Sequence, residues 1–428
     1  MATLFLPYIF SEGMFFDGLT YSSIARNLAL GKGSCFELFY TESIKNPFYE
    51  HPPLGIWMQV PFFIVLGEYY LTEKIYSLLC FIAFLFLYFQ LSRLLQNDDY
   101  KNAFWRNLIF YLPIPVVTWC WSNNLLENSM ILFMLASSIF SIKAVNGTSW
   151  NAILSGFFIL LAWFCKGPTA LSVITIPFLF SLFYRNFEIP KLIFIYILIF
   201  ASAWGLMKLL FFIFPAWEQA QNIYLETQLY AALDNNREIT TTHNLFIFTE
   251  ALQQLIIPVI LSILLFIISK KIELNRAALF ALTFASMCVI PLSITLKQRI
   301  FYAAPAFPFY AIFFSEIGKN SWDFLKLEIV DKWILKKTLP IIALGATVIS
   351  FCLIGTPIRD KEVIQEAKEL KAKNVGFKQI EVEEAERGDW KRQAYLMRYA
   401  KVSLVSQKVS YLRELGEKEG ESLEETER

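Results

Sequence analysis

Charge is scarce in this 428-residue chain. Lys, Arg, Asp and Glu together make up 18% of it, where a soluble domain carries about 25%. The 38 basic and 37 acidic residues nearly cancel, so no excess of either sign argues for nucleic acid. Histidine occurs only at positions 51 and 243, too few for a metal centre built from histidines. Cysteine is equally unhelpful as a ligand source. Cys80, Cys120, Cys165, Cys288 and Cys352 lie in apolar runs, Cys35 lies in a polar loop, and no Cys-x-x-Cys spacing occurs. Neither a disulfide framework nor a thiolate metal site is indicated. The amino terminus has no basic head and no small-residue cleavage pattern, so it is not a signal peptide.

What the chain has is apolar surface. Hydrophobic residues are 56% of it and Phe alone occurs 42 times. About 20 consecutive apolar residues span a bilayer. That rule places spans near 73–92, 104–122, 126–143, 151–165, 168–184, 191–214, 246–268, 277–296, 300–317 and 338–356. Residues Met1 to Phe10 make only half a span before the polar segment at Ser11. They read either as a partly embedded helix or as the remainder of a longer one, and the second reading is preferred. Lys and Arg in short loops set orientation. Arg93, Lys101, Arg106, Lys143, Lys191, Lys270, Lys271 and Arg276 fall in one set of loops, which is then cytoplasmic. The opposite, outer set carries Asp17, His51, Glu127, Lys166, the 215–245 loop and Lys297 to Tyr302.

The expected class is an all-α polytopic membrane protein with about 10–11 transmembrane helices. A unit over residues 1–356 includes a first outer loop, 11–72, with interfacial helices, and a second, 215–245. Residues 357–428 form a charged extracytoplasmic tail, α or α+β, read as a small solubilising appendage. In it, Val363, Ala367 and Leu370 are spaced for an amphipathic helix, Phe377 to Val382 reads as a strand, and Asp389 to Tyr399 reads as a second helix. The last ten residues read as disordered.

Several polar residues are poorly explained by packing. Asp17 stands where the first helix would emerge. It is either a general base taking a proton from an attacking hydroxyl or a cap on a Tyr21–Leu30 helix. In Glu50-His51-Pro52-Pro53-Leu54, the proline pair forces an extended backbone. The apolar stretch from Leu54 to Leu66 is too short to cross and reads as an interfacial helix, which holds His51 at headgroup depth. Glu127 sits between two closely spaced apolar runs, where acidic groups tend to be functional; the alternative is a solvated hairpin tip. Lys166 splits a long apolar stretch, paired with phosphate or Glu127, or simply snorkelling. Lys297, Arg299 and Tyr302 suit a phosphate clamp or a headgroup anchor, and Arg237 in the long outer loop joins them. A carboxylate base, several cations and a greasy approach match the transfer of a sugar from a lipid phosphate.

The pattern Asp17, Tyr21, Ala25-Arg26, His51-Pro52-Pro53-Leu54 and Trp57 resembles the GT-C superfamily. The likeness is to polyprenyl-phosphate-sugar transferases related to aminoarabinose lipid A transferases and protein O-mannosyltransferases. It extends through Leu126-Glu127-Asn128, Lys166-Gly167, Leu233-Asp234 to Arg237, and Arg299 to Tyr302, covering residues 10–320. The resemblance implies the GT-C fold and Asp17 as the catalytic carboxylate of an inverting transfer, with Glu127 as a second acidic residue. It places His51, Lys166, Arg237, Arg299 and Tyr302 along the donor phosphate and lipid, with Tyr21, Arg26 and Glu50 positioning substrate. His51 stands where aminoarabinose transferases carry a lysine, and Gly18 stands where relatives commonly carry a Glu. The implied setting is the outer side of a bacterial cytoplasmic membrane, with a lipid-linked sugar as donor and a glycolipid (lipid A among them), envelope polymer or protein as acceptor. Some GT-C enzymes hold a divalent ion beside the carboxylate; with no further carboxylate nearby in sequence, no obligatory metal is expected. The competing readings are a transporter or flippase of a lipid-linked sugar, for which no inverted repeat is found, and a non-catalytic glycan-binding relative.

Overall fold

In lipid every backbone N–H and C=O must be paired within its own segment, so apolar runs become helices. The computed structural model describes residues 2–96, 99–184, 187–325, 333–373 and 376–406. The chain opens with α1 (Ala2–Phe10), α2 (Phe16–Ala29), and the short α3 (Leu54–Trp57) and α4 (Val60–Leu66). Then come α5 (Thr72–Leu95), α6 (Tyr100–Tyr111), α7 (Pro115–Ser122), α8 (Leu126–Asn146), α9 (Asn151–Lys166), α10 (Ile176–Tyr184) and α11 (Ile189–Ile213). The 215–245 segment contains α12 (Pro215–Tyr224) and the single turn α13 (Ala231–Leu233). Beyond it lie α14 (Phe246–Gln254), α15 (Ile256–Ser269), α16 (Arg276–Val289), α17 (Phe307–Ile317), α18 (Lys319–Leu325) and α19 (Trp333–Cys352).

Among the described residues five helices are each long and apolar enough to cross a membrane: Thr72–Leu95, Leu126–Asn146, Ile189–Ile213, Arg276–Ile294 and Ile300–Ile317. The protein is a polytopic helical membrane protein, as its sequence predicts. Several expected spans are broken, and proline or glycine marks the breaks. The 104–122 run stops at Tyr111 and restarts at Pro115, with Pro113 between, because proline has no N–H and disfavours helix in the residue before it. The 151–184 stretch breaks at Gly167, whose φ is +93°. The 246–268 span is bent by 52° at Leu255, just ahead of Pro258. The interfacial helix expected over Leu54–Leu66 is two pieces, α3 and α4, and exposes Ile64 and Val65.

The tail continues as α20 (Lys361–Lys373), β1 (Lys378–Val382), α21 (Glu384–Arg387), α22 (Trp390–Ala400) and β2 (Val402–Ser406). The strands pair in parallel from Lys378 opposite Val402 to Val382 opposite Ser406. The helix and strand expected over 363–382 are present, and α22 falls where the second helix was expected; β2 carried no signal that was read. The expectation for the last ten residues lies outside the described residues.

The tail docks through buried charge. Arg398 grips the Glu73 carboxylate with two nitrogens, at 2.7 and 3.1 Å, and both side chains are at most 2% exposed. Arg26 donates to the carbonyls of Met397 and Arg398 at 2.9 and 3.0 Å, capping the end of α22 where helix carbonyls lack partners. Lys74, beside Glu73, donates to the carbonyls of Tyr8, Ser11 and Gly13. Glu73 and Lys74 thus tie the segment before α2 and the tail to one end of α5.

A buried charge stripped of its partner costs about 3–5 kcal/mol, whereas an exposed pair is worth about 0–1 kcal/mol. Glu73→Ala is therefore expected to lower thermal stability in detergent by an amount in the first range. Arg392→Ala, which breaks the partly exposed pairs with Glu366 and Glu386, is expected to lower it by under about 1 kcal/mol.

Candidate active site

Helices α8 and α9 run antiparallel. The hydroxyls of Ser137 and Ser141 meet Ser155 at 3.0 and 2.7 Å, and the first turn of α8 meets the last of α9. There Lys166 Nζ lies 3.1 Å from Glu127 Oε1, with side-chain exposures of 6% and 0%. An anion in the first turn of one helix and a cation in the last turn of another both match the helix macrodipoles. Gly167 then turns the chain. A Cβ there would overlap the Tyr224 hydroxyl, which donates to the Lys166 carbonyl at 3.2 Å.

Within the described residues neither Glu127 carboxylate oxygen accepts a hydrogen bond. The ion pair with Lys166 is what offsets its burial. Lys166 also reaches Tyr21 Oη at 3.5 Å, leaving the phenol proton free to donate elsewhere. Its ammonium lies 5.6 to 5.9 Å from the ring centroids of Tyr21, Tyr302 and Phe301. This is an aromatic box around a cation. The His51 ring stands edge-on to Tyr21 at 5.6 Å.

Asp17 lies in the first turn of α2. Three elements hold the residues leading to it. Lys74 binds the Gly13 carbonyl at 3.1 Å. The Tyr395 hydroxyl donates to the Met14 carbonyl at 3.0 Å. Asn123 Oδ1 accepts from the Phe15 N–H at 2.6 Å. Gly18 packs so closely on the Asn123 carbonyl that a Cβ would overlap it. Asn124, at φ +51°, turns its amide onto Gln59 Oε1 at 2.8 Å; Asn tolerates this left-handed conformation better than most residues.

Burial pushes the Asp17 carboxyl up to about 6, Lys166 pulling the other way and Glu127 adding to the rise. His51 is held well below the usual histidine range by burial and then by the charges of Lys166, Lys45, Arg237 and Lys297. It is a neutral imidazole among cations. Lys297 is drawn down to about 8 by burial and then by Arg237.

Asp17, Tyr21, His51, Glu127, Lys166 and Tyr302 therefore converge. Arg237 is half-buried, and its charge acts on both His51 and Lys297. The other expected residues are engaged differently. Arg26 is buried against the tail, as described. Glu50 pairs with Lys45. Arg299 pairs with Glu238 at 3.5 Å, largely in solvent. Gln298 between the cations is the buried staple: it takes the Ile247 N–H at 2.7 Å and donates to Asn244 and Thr295 carbonyls. Lys45, Lys74 and Tyr224 were not singled out from sequence; the Lys74 ammonium stands at the head of an expected span, a position that could have flagged it.

Comparison with solved structures shows the same fold in ArnT from Cupriavidus metallidurans, both bound to undecaprenyl phosphate and in the apo state. The first matches with a TM-score of 0.67 and 13% identity over 95% of this chain and 84% of that one. The second matches with a TM-score of 0.65 and 13% identity over 94% and 83%. The chain has the GT-C fold that its first outer loop led us to expect. No family model and no curated protein matches the sequence.

The Asp17 environment fixes a sign for stability. A carboxyl raised in the folded state binds its proton more tightly there than in the unfolded chain, so it favours folding at low pH and less so as pH rises through about 6. Asp17→Asn removes that dependence. The variant is expected to be at least as thermostable as wild type at pH 8, the difference fading below about pH 4, as read by thermal unfolding across pH.

Proposed function

We propose that the chain is a membrane glycosyltransferase that moves a sugar from a polyprenyl-phosphate donor to an acceptor hydroxyl or phosphate. One observation carries the reading. A carboxyl held near neutrality, Asp17, shares a site with a buried, aromatic-boxed lysine and further cations, at a membrane boundary. The undecaprenyl phosphate held by the structural neighbour supports the class of donor.

In this reading Asp17 accepts the proton of the acceptor hydroxyl. The acceptor oxygen forms its bond to the anomeric carbon as the bond from that carbon to the phosphate oxygen breaks. The electron pair leaves with the phosphate, whose growing charge is met by Lys166, Arg237 and Lys297. Attack opposite the leaving group inverts the anomeric centre. Tyr21 donates its free phenol proton to the same phosphate, and neutral His51 offers one N–H. Tyr302 walls the lysine. Glu127 holds Lys166 in place, a positioning role, and Glu50 restrains Lys45. Residues 1–356 supply this site, and the described part of the tail, up to residue 406, braces it. In this reading the site faces the extracytoplasmic side of a bacterial cytoplasmic membrane, and the distribution of Lys and Arg supports that side.

General-base catalysis contributes about 10²–10⁴-fold, and a preorganised charge on the leaving group about 10²–10³-fold. Asp17→Asn and Lys166→Met are expected to lose transfer by those factors. The pH profile of wild-type transfer is expected to rise through about 6 as Asp17 ionises and fall above about 8 as Lys297 loses its proton. Lys297→Arg should move the alkaline limb upward and leave the acid limb in place. Transfer of label from the polyprenyl-phosphate sugar pool of the source membrane measures each. An Asp17→Asn enzyme with full transfer activity contradicts the mechanism.

A further inference from the structure

Helix α12 carries a buried amide that the mechanism above does not use. Gln221 is 4% exposed. Within the described residues neither its Nε2 nor its Oε1 has a hydrogen-bond partner. A buried polar group left in that state costs about 1–3 kcal/mol, so the position is a poor choice for packing alone. It lines a narrow cleft with His51, Pro52, Phe36, Tyr49 and Tyr224. Two of these connect the cleft to the Lys166 site: His51 packs edge-on against Tyr21, and Tyr224 binds the Lys166 carbonyl.

The chemistry narrows the ligand. An amide with both N–H and C=O unpaired is satisfied by a group that accepts and donates at once. A phosphate oxygen only accepts, and an ammonium only donates; a hydroxyl does both. The cleft that Gln221 lines has room for about one water-sized group. It therefore takes one hydroxyl of a larger molecule lying across its mouth rather than a whole ring. The facing wall is aromatic, with Phe36 stacked on Trp217 at 5.8 Å, a surface suited to the C–H face of a sugar.

We propose that Gln221 is a specificity-determining residue that reads a neutral hydroxyl of the sugar being transferred. This rests on the polyprenyl-phosphate donor reading and names the part of the donor that the cleft recognises. A neutral amide carries no charge to meet a phosphate, so the group it reads is a hydroxyl of the sugar.

The test incubates wild type and Gln221→Leu, in lipid nanodiscs, with the polyprenyl-phosphate pool extracted from the source membrane. Retained lipids are then weighed by mass, sugar-charged against sugar-free. Wild type is expected to retain one sugar-charged species at least tenfold over undecaprenyl phosphate. Gln221→Leu is expected to lose that preference, keep its affinity for undecaprenyl phosphate, and match or exceed wild-type thermostability. Should the leucine variant not fold, Gln221→Met, which fills the same space without a hydrogen-bonding amide, is read the same way. An unchanged preference in the variant overturns the proposal and points to a buried water in the cleft. An equal loss of both lipids also overturns it, as a structural role. If wild type retains no polyprenyl lipid of either kind, the donor reading itself fails, and this inference with it.

Discussion

A carboxylate and an ammonium buried together at one end of an antiparallel helix pair set the terms for the rest of this structure. Glu127 has no hydrogen bond among the described residues to offset its desolvation, so Lys166 must remain beside it. That requirement fixes the register of α8 against α9, and the serine contacts further down the pair agree with it. It also sets the electrostatic surroundings of Asp17, whose pKa responds to both charges. The pair is therefore a scaffold and a charge reservoir together. In the proposed reaction the lysine meets the phosphate already desolvated, with three aromatic rings around its ammonium.

A second set of buried charges, at the head of α5, positions the acid. Residues 13, 14 and 15 are each held by a different element: Lys74, Tyr395 of the tail, and Asn123 between α7 and α8. The tail is held in turn by Glu73 gripping Arg398 and by Arg26 capping α22. A segment with no regular structure of its own is thereby held at three successive residues, the positioning that the proposed base would require. The charged tail has a mechanical connection to the site that a solubilising appendage would lack.

Much of this was legible in the sequence, and the reasons differ by level. The membrane class followed from composition, and the helices from apolar length. Their breaks followed less well: Pro113, Gly167 and Pro258 interrupt runs that hydropathy alone joins. A shared side for Asp17, His51, Glu127, Lys166 and Tyr302 was expected from loop alternation, because residues at alternate span ends must share a side; Tyr21 was expected only from the family resemblance. Arg26 shows the limit. It sits one helical stretch from Asp17 in a motif-like setting, yet it points to carbonyls more than 370 residues away, and no local pattern announces a partner at that distance. Gln221 shows another limit. A glutamine in a polar outer segment looks solvated until the fold buries it.

The most direct test of the central claim, that this site holds a lipid phosphate with Asp17 poised as base, is native mass spectrometry of protein purified in mild detergent from its own membranes, wild type beside Asp17→Asn. The account predicts a co-purifying polyprenyl phosphate in both, with a sugar-charged form accumulating in the variant because binding is intact and proton removal is lost. Retention of other lipids with no polyprenyl species in either protein would contradict it.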